Sequence, residues 1–275
     1  MDGRCFPDHG RVYSAGSSSE DVIVVTPSQD ARCIHIHAEE HSVAHVFVTC
    51  DAALDMGIMI QAAPHAQLRV TVLCTDATGS LRIVQCAELE EGANLSMHLF
   101  TLGIADCTHI VRSTLKGAHA VSDIDWTFYA AGSDKVRFSA RNQCDGRIGG
   151  GEITMRGVAE ETAHARLEGM IGIGPMGGGT DTYLTQEVLM LDSTAKVDAI
   201  PGLEIKTNDV KASHSATVAR VQPEDLLYFG ARGIPPAEAR RMFVMGFLGD
   251  ATDAIPDVAV RERVIAAIEK AYEKD

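Results

Sequence analysis

Leu68-Arg69-Val70-Thr71-Val72, Leu95-Ser96-Met97-His98-Leu99 and Val136-Arg137-Phe138-Ser139-Ala140 each carry an apolar residue at every second position. A period of two is that of a β-strand, whose successive side chains point to opposite faces, so each run reads as a strand with one face on a core. Small-residue turns precede several such runs: Pro64-His65-Ala66, Gly92-Ala93-Asn94, Gly117-Ala118-His119 and Ser193-Thr194-Ala195. They recur about two strands apart, and between about Val22 and Ala219 no stretch shows a convincing helical stripe. This is the pattern of a degenerate β-solenoid, in which each coil packs on its neighbours and the corners tolerate insertions. A β-sandwich with as many strands would have the same periodicity. Val188 to Leu191 differs from the other runs, being apolar on both parities as in a strand covered on both faces.

The pattern changes after Val221. Pro223-Glu224-Asp225 opens a short helical stretch that Gly230 or Gly233 can close, and Pro235-Pro236 start a helix predicted to run to about Leu248. Asp253 to Pro256 lead into a last helix, Val258 to Tyr272, with Val260, Val264, Ile265 and Ile268 as its apolar stripe. The first 20 residues end in Gly16-Ser17-Ser18-Ser19, a flexible composition. The expected division is therefore a lead-in over 1–20, a β-body over 21–221 and a helical region over 222–275.

Hydrophobic residues at 45% and charged residues at 23% are ordinary globular values. Aromatic residues make up only 5%, against 25 glycines, which favours thin repetitive β-layers over a bulky aromatic core. A formal charge of −14 repels phosphate backbones, and no segment gathers Lys and Arg into a basic stripe, which excludes nucleic acid as the main partner. The start Met1-Asp2-Gly3-Arg4-Cys5 has no signal-peptide character and no run reaches the roughly 18 to 20 apolar residues that span a bilayer. The expectation is a cytoplasmic protein with no membrane association. Seven cysteines without a Cys-x-x-Cys pair argue against a disulfide framework and a structural zinc site. By parity Cys50 goes with Val46 and Val48, and Cys74 with Leu68, Val70 and Val72, so both read as small core residues.

Pro201-x-Leu203-Glu204-Ile205 is followed by Asp209-Val210-Lys211-Ala212-Ser213-His214-x-Ala216-Thr217-Val218, then by Leu227-Tyr228-Phe229, Arg232-Gly233-Ile234, Glu238-Ala239 and Gly246-Phe247. This ordered set resembles the signature near the end of the core domain in SufB/SufD iron–sulfur cluster assembly scaffolds. Gly157 to Leu191, including Thr185-Gln186, is similar as well, whereas the N-terminal half fits in its strand pattern alone. The resemblance implies a right-handed β-helix core and a helical C-terminal region that docks on a SufC-like ABC-type ATPase. It also implies pairing of two scaffolds through their β-helices, with an iron–sulfur cluster held transiently on the scaffold and passed to recipient proteins. Hydrolysis of ATP would belong to the partner subunit, and the chain itself would not be an enzyme. Family members are usually longer at the N-terminus, so the chain looks like a reduced form that pairs with itself as a homodimer.

The resemblance also marks residues. His214 occupies the position where the family places a histidine near the scaffold interface, and neutral imidazole is a good iron ligand. Within its run it shares a face with Val210, Ala212, Ala216 and Val218, so it reads either as a hydrogen-bonded core residue or as a ligand at a paired interface. Glu187 stands where B-type scaffolds carry a cysteine that holds the nascent cluster. A carboxylate can bind iron although sulfur-rich ligation is the norm; the readings are mixed oxygen and nitrogen ligation, a cysteine supplied from elsewhere, or an exposed glutamate at a strand corner. Arg232 and Arg240 flank the start of the helical region as candidate contacts to the ATPase, or as ordinary surface arginines.

Other residues stand outside the resemblance. Cys144, in Asn142-Gln143-Cys144-Asp145-Gly146, is expected in a polar, accessible loop as a weak candidate ligand. Cys33-x-His35-x-His37 sets three potential ligands on one side of a strand opposite Ile34 and Ile36, or else two solvated histidines. Gly149-Gly150-Gly151 and Gly177-Gly178-Gly179 lack a following Gly-Lys-Ser/Thr and read as turns, which leaves nucleotide binding to a partner. Two other function classes compete with the cluster scaffold. One is a module that binds the ATPase and holds no cluster. The other is a carbohydrate-active β-helix enzyme using Asp123 and Asp125, or Glu160 and Glu161, as its paired carboxylates. A single tryptophan, Trp126, and five tyrosines offer little for sugar stacking.

Overall fold

In the computed structural model, residues 10–15, 22–27, 32–51, 54–75 and 79–273 are described. Sixteen strands, β1 (Gly10–Ala15) to β16 (Val210–Arg220), alternate between two parallel eight-stranded sheets. The odd strands form one sheet in the order β1-β3-β5-β7-β9-β11-β13-β15, and the even strands form the other, from β16 down to β2. Two successive strands thus make one coil, and the next coil adds a strand to each sheet about 4.8 Å further along the axis. The fold is a parallel β-solenoid followed by three helices, as the alternating runs and the resemblance imply. β1 falls in the stretch expected as a lead-in, where its backbone pairs with β3.

Parity decides what fills the solenoid. Inward residues such as Leu68, Val70 and Val72 on β6 (Gln67–Thr75), Leu95, Met97 and Leu99 on β8 (Asn94–Leu102), and Val136, Phe138 and Ala140 on β11 (Lys135–Cys144) join one continuous core. Cys50 and Cys74 sit in it side by side, in register on β4 (Val43–Cys50) and β6. His109, on β9 (Asp106–Leu115), is also enclosed, with its ring edge-on to Trp126 at 4.7 Å. Burial alone lowers its pKa to about 3.

One corner repeats coil after coil. His41, His65, Gly92, His119, Ile148 and Gly179 all have φ between 53° and 81°. Each amide donates to a carbonyl of the next coil, in succession Pro64, Glu91, Ala118, Arg147, Gly178 and Asp209. Left-handed backbone is costly for most residues and is tolerated here because every coil repeats the same hydrogen bond. The rings of His41 and His65 stack at 5.0 Å on this corner.

The outer face of the even sheet carries a second core. Phe47, Leu73, Phe100, Tyr129, Val158, Leu189 and Leu191 meet Val244, Leu248, Val260, Val264 and Ile268 of the helices. Val188 and Met190 face the solenoid interior, so Val188 to Leu191 is covered on both sides, as its double parity predicts. The helices are α1 (Pro223–Gly230), α2 (Pro236–Asp253) and α3 (Val258–Glu273). α2 runs past the expected end near Leu248, because Leu248 and Thr252 are still buried. On α3 the buried stripe is Val260, Val264, Ile268 and Ala271, which leaves Ile265 40% exposed on its flank. No described helix is long and apolar enough to cross a membrane.

Candidate functional site

The candidate site lies at the last coil, formed by β15 (Lys196–Ile205) and β16. These strands end their respective sheets, and among the described residues β16 pairs with β14 (Thr180–Met190) alone. In-register neighbours in a parallel sheet share a face. His214 is opposite Leu184, an interior residue, so it belongs to the inward row. Val210 and Ala212 at the start of that row pack on the core. Further along nothing described covers it: His214 is exposed, and Val218 and Ile205 are 45% and 41% exposed.

Glu187 is opposite Thr217 and points outward. Its in-register neighbour on β12 (Gly150–Ala159) is Arg156, whose Nε and Nη2 donate to Glu187 Oε2 at 3.1 and 3.0 Å. The same guanidinium lies 5.7 Å from the Phe247 ring centroid and 4.0 Å from Asp250 Oδ2, both on α2. His214 and Glu187 therefore occupy opposite faces of the even sheet and are not brought together. Arg156 carries no mark within its own strand; the signal available was its separation of 31 residues from Glu187, close to one coil of the repeat.

Among the described residues, no three His, Cys, Asp or Glu side chains are grouped so as to hold a metal. Cys144 corrects an expectation: it is the last residue of β11, fully buried in the solenoid core, and burial pushes its thiol up to about 11. Asn142 and Gln143 are themselves residues of β11, and Asn142 is buried on the same inward row as Cys144, so the segment is a strand and not an open loop. At Cys33-x-His35-x-His37, Ile34 and Ile36 do point inward, while Cys33 is buried with its Sγ 3.3 Å from His35 Nε2. Described cysteines lie on β3 to β11 and none on the last coil.

The sequence over residues 23–247 matches the family model described as SUF system FeS cluster assembly, SufBD core domain. The chain belongs to the SufBD family. It is 41% identical over 112 residues to an iron–sulfur cluster assembly SufBD family protein of Mycobacterium tuberculosis, an overlap of 40% of this chain and 28% of the relative. It is 28% identical over 189 residues to the iron–sulfur cluster assembly protein SufD of Escherichia coli, covering 66% of this chain and 43% of that protein. With SufD of Bacillus subtilis the identity is 30% over 158 residues, covering 58% and 36%. The matched part thus spans less than half the length of each of these relatives. SufBD membership supports a role in iron–sulfur cluster assembly.

In this SufBD chain the two arginines marked in the helical region have different surroundings. Arg232 is exposed, stacked over the Tyr228 ring at 3.7 Å beside Leu227, itself 70% exposed. Arg240 is turned into the molecule, and its Nη2 donates to Glu160 Oε1 and Asp192 Oδ2, both at 2.8 Å. Glu160 also accepts from the Tyr129 hydroxyl at 2.8 Å. This clamp ties α2 to two solenoid corners and engages one of the carboxylates weighed for sugar chemistry. Burial alone would raise the Asp192 carboxyl, but the Glu161 amide and then the hydrogen bond and charge of Arg240 outweigh it and hold the carboxyl below its usual range.

Replacing Arg240 by Met should lower stability by about 1–3 kcal/mol, because Glu160, 13% exposed, loses its counter-ion. Denaturant titration measures this. A depressed carboxyl contributes stability above its unfolded-state pKa and loses it as pH falls through the folded value. The difference between wild type and Arg240→Met should accordingly shrink below about pH 4.

Proposed function

We propose that the chain is a non-enzymatic scaffold on which an iron–sulfur cluster is assembled at the interface between two copies, driven by an ABC-type ATPase docked on the helical region. The supporting observation is the open last coil, where the inward row carrying His214 is exposed together with Val218 and Ile205. A second copy laid against this end would cover those apolar side chains and bring a second His214 to the seam. That accounts for the absence of a complete ligand set within the described residues of one chain. Arg232, Tyr228 and Leu227, exposed on and beside α1, supply the kind of apolar and cationic surface that a partner covers. On this reading iron and sulfide are the cargo, ATP acts through the partner, and the cluster passes on to recipient proteins. Glu187 could join the ligand set only after leaving Arg156.

Anaerobic reconstitution with ferrous iron and sulfide should give a cluster absorption band in the visible. Loss of the hydrogen-bond partner of a metal ligand typically costs about tenfold in affinity or more, and His214→Ala removes the proposed ligand itself, so cluster retention should fall at least that far. An unchanged band in this variant would reject His214 as a ligand. A second reading, an ATPase-binding module that holds no cluster, draws on the lack of described cysteines in the last coil. Iron analysis of protein purified without oxygen separates the two, since the scaffold alone predicts bound iron.

A further inference from the structure

We propose that the outer face of the even sheet holds an oxyanion-binding site centred on Arg69, taking a tetrahedral dianion such as phosphate or sulfate, separate from the last coil. A 230 Å³ pocket there is lined by Val43, Ala44, Gln67, Leu68, Arg69, Asn94 and Ser96. Gln67 is in register with Asn94, and Arg69 with Ser96, on the paired strands β6 and β8. Four polar side chains thus form a two-by-two array. Each can donate a hydrogen bond, and no carboxylate lines the pocket.

Arg69 distinguishes this array from ordinary polar surface. The residue is part-buried, its Nε is enclosed with no hydrogen-bond partner, and no ion pair to Asp or Glu is formed by it among the described residues. A partly dehydrated cation carries a free-energy penalty that an anion bound at the open end of its guanidinium offsets. The planar fork of a guanidinium suits two oxygens of one oxyanion. The charged and titratable neighbours are Asp257, His45 and Asp123; Asp257, which acts on His45, has its Oδ1 accepting the Val260 amide at 2.8 Å and forms no ion pair with Arg69. His45, in register with Arg69 on β4, hydrogen-bonds through Nε2 to Thr71 Oγ1 at 3.0 Å and, as an imidazole, brings no negative charge. Asp123 is in register with Ser96, one strand further from Arg69, and its Oδ1 accepts the Glu152 amide at 2.9 Å. In a chain of formal charge −14, this is an arginine with no ion-pair partner among the described residues, beside three neutral hydrogen-bonding side chains. The same chemistry would accept a free oxyanion or the phosphoryl group of a small metabolite.

The test is calorimetric titration of the whole chain at low ionic strength with inorganic phosphate, then sulfate, then a phosphate monoester such as glycerol phosphate. Saturable binding of inorganic phosphate in about the millimolar range is expected, with a matching rise in melting temperature. Binding of inorganic phosphate with equal or tighter binding of the monoester points to a phosphorylated metabolite; exclusion of the monoester points to the free ion. Arg69→Met should weaken phosphate binding by about tenfold or more, the scale of one charge-assisted pair. Asn94→Leu, on the exposed rim, should weaken it without unfolding the chain, which guards against a folding defect in the arginine variant. Arg82→Met, on the opposite sheet, should bind as wild type. No saturable phosphate binding by wild type, or equal binding by the folded Arg69→Met chain, would overturn the proposal. Neither result bears on cluster reconstitution at His214.

Discussion

Replacing Trp126 by Ala should destabilise the chain by about 3–5 kcal/mol, the cost of removing a large aromatic side chain from a closed core. Trp126 is 1% exposed on β10 (Val121–Ala130), packed 4.6 Å from the Phe138 ring and 4.7 Å from His109, with Nε1 directed at Thr101 Oγ1 at 3.4 Å. The strands holding these partners are fixed at their spacing by ladders of hydrogen bonds on both sides, so the coils cannot close around the vacancy. The loss is a large part of the 5–15 kcal/mol by which folded domains are usually stable. As the chain has a single tryptophan, unfolding should be followed by circular dichroism in urea. Trp126→Phe keeps most of the volume and should lose clearly less. A midpoint for Trp126→Ala equal to wild type would mean that the ring does not fill the core as described.

Gly151→Ala should cost about 3 kcal/mol or more, from two effects that each usually cost about 1–3 kcal/mol. Gly151 has φ +120°, a backbone conformation that side-chain-bearing residues rarely adopt. A methyl group there would also sit 2.1 Å from the carbonyl oxygen of Ser122 on the neighbouring strand. The obstacle is backbone, so no rotamer change relieves it. Gly92→Ala provides the contrast. Its φ is +64°, but the clashing atoms belong to the exposed His65 imidazole, which can swing aside. The loss at Gly92 should stay near the backbone penalty of about 1 kcal/mol. Thermal melts of the two variants side by side check the ranking; equal losses would show that the interstrand contact at Gly151 is relieved by movement of β10.

Much of the architecture could be read from single segments. The period of two along Leu68 to Val72 and its counterparts gives strands, the double parity of Val188 to Leu191 gives a strand covered on both faces, and the prolines at 223 and 236 mark the starts of helices. The ordered motif from Pro201 to Phe247 gives the family. Each of these signals is local, because it concerns the face or the backbone of the residues that carry it.

What no segment could show is which coil lies on which, and at what register. Cys144 reads as a loop residue from its polar neighbours, yet β11 extends to it and the coil encloses it in the core. His214 and Glu187 look like one ligand set until the pairing of β14 with β16 puts them on opposite faces of a sheet. Arg240 reads as a surface cation, but the docking of α2 delivers it to Glu160 and Asp192, 80 and 48 residues earlier. The sequence by itself determined strands, helices, family and the apolar company of His214. The tertiary structure decided that this row is left open at the last coil, since exposure of an inward residue depends on whether another coil follows it.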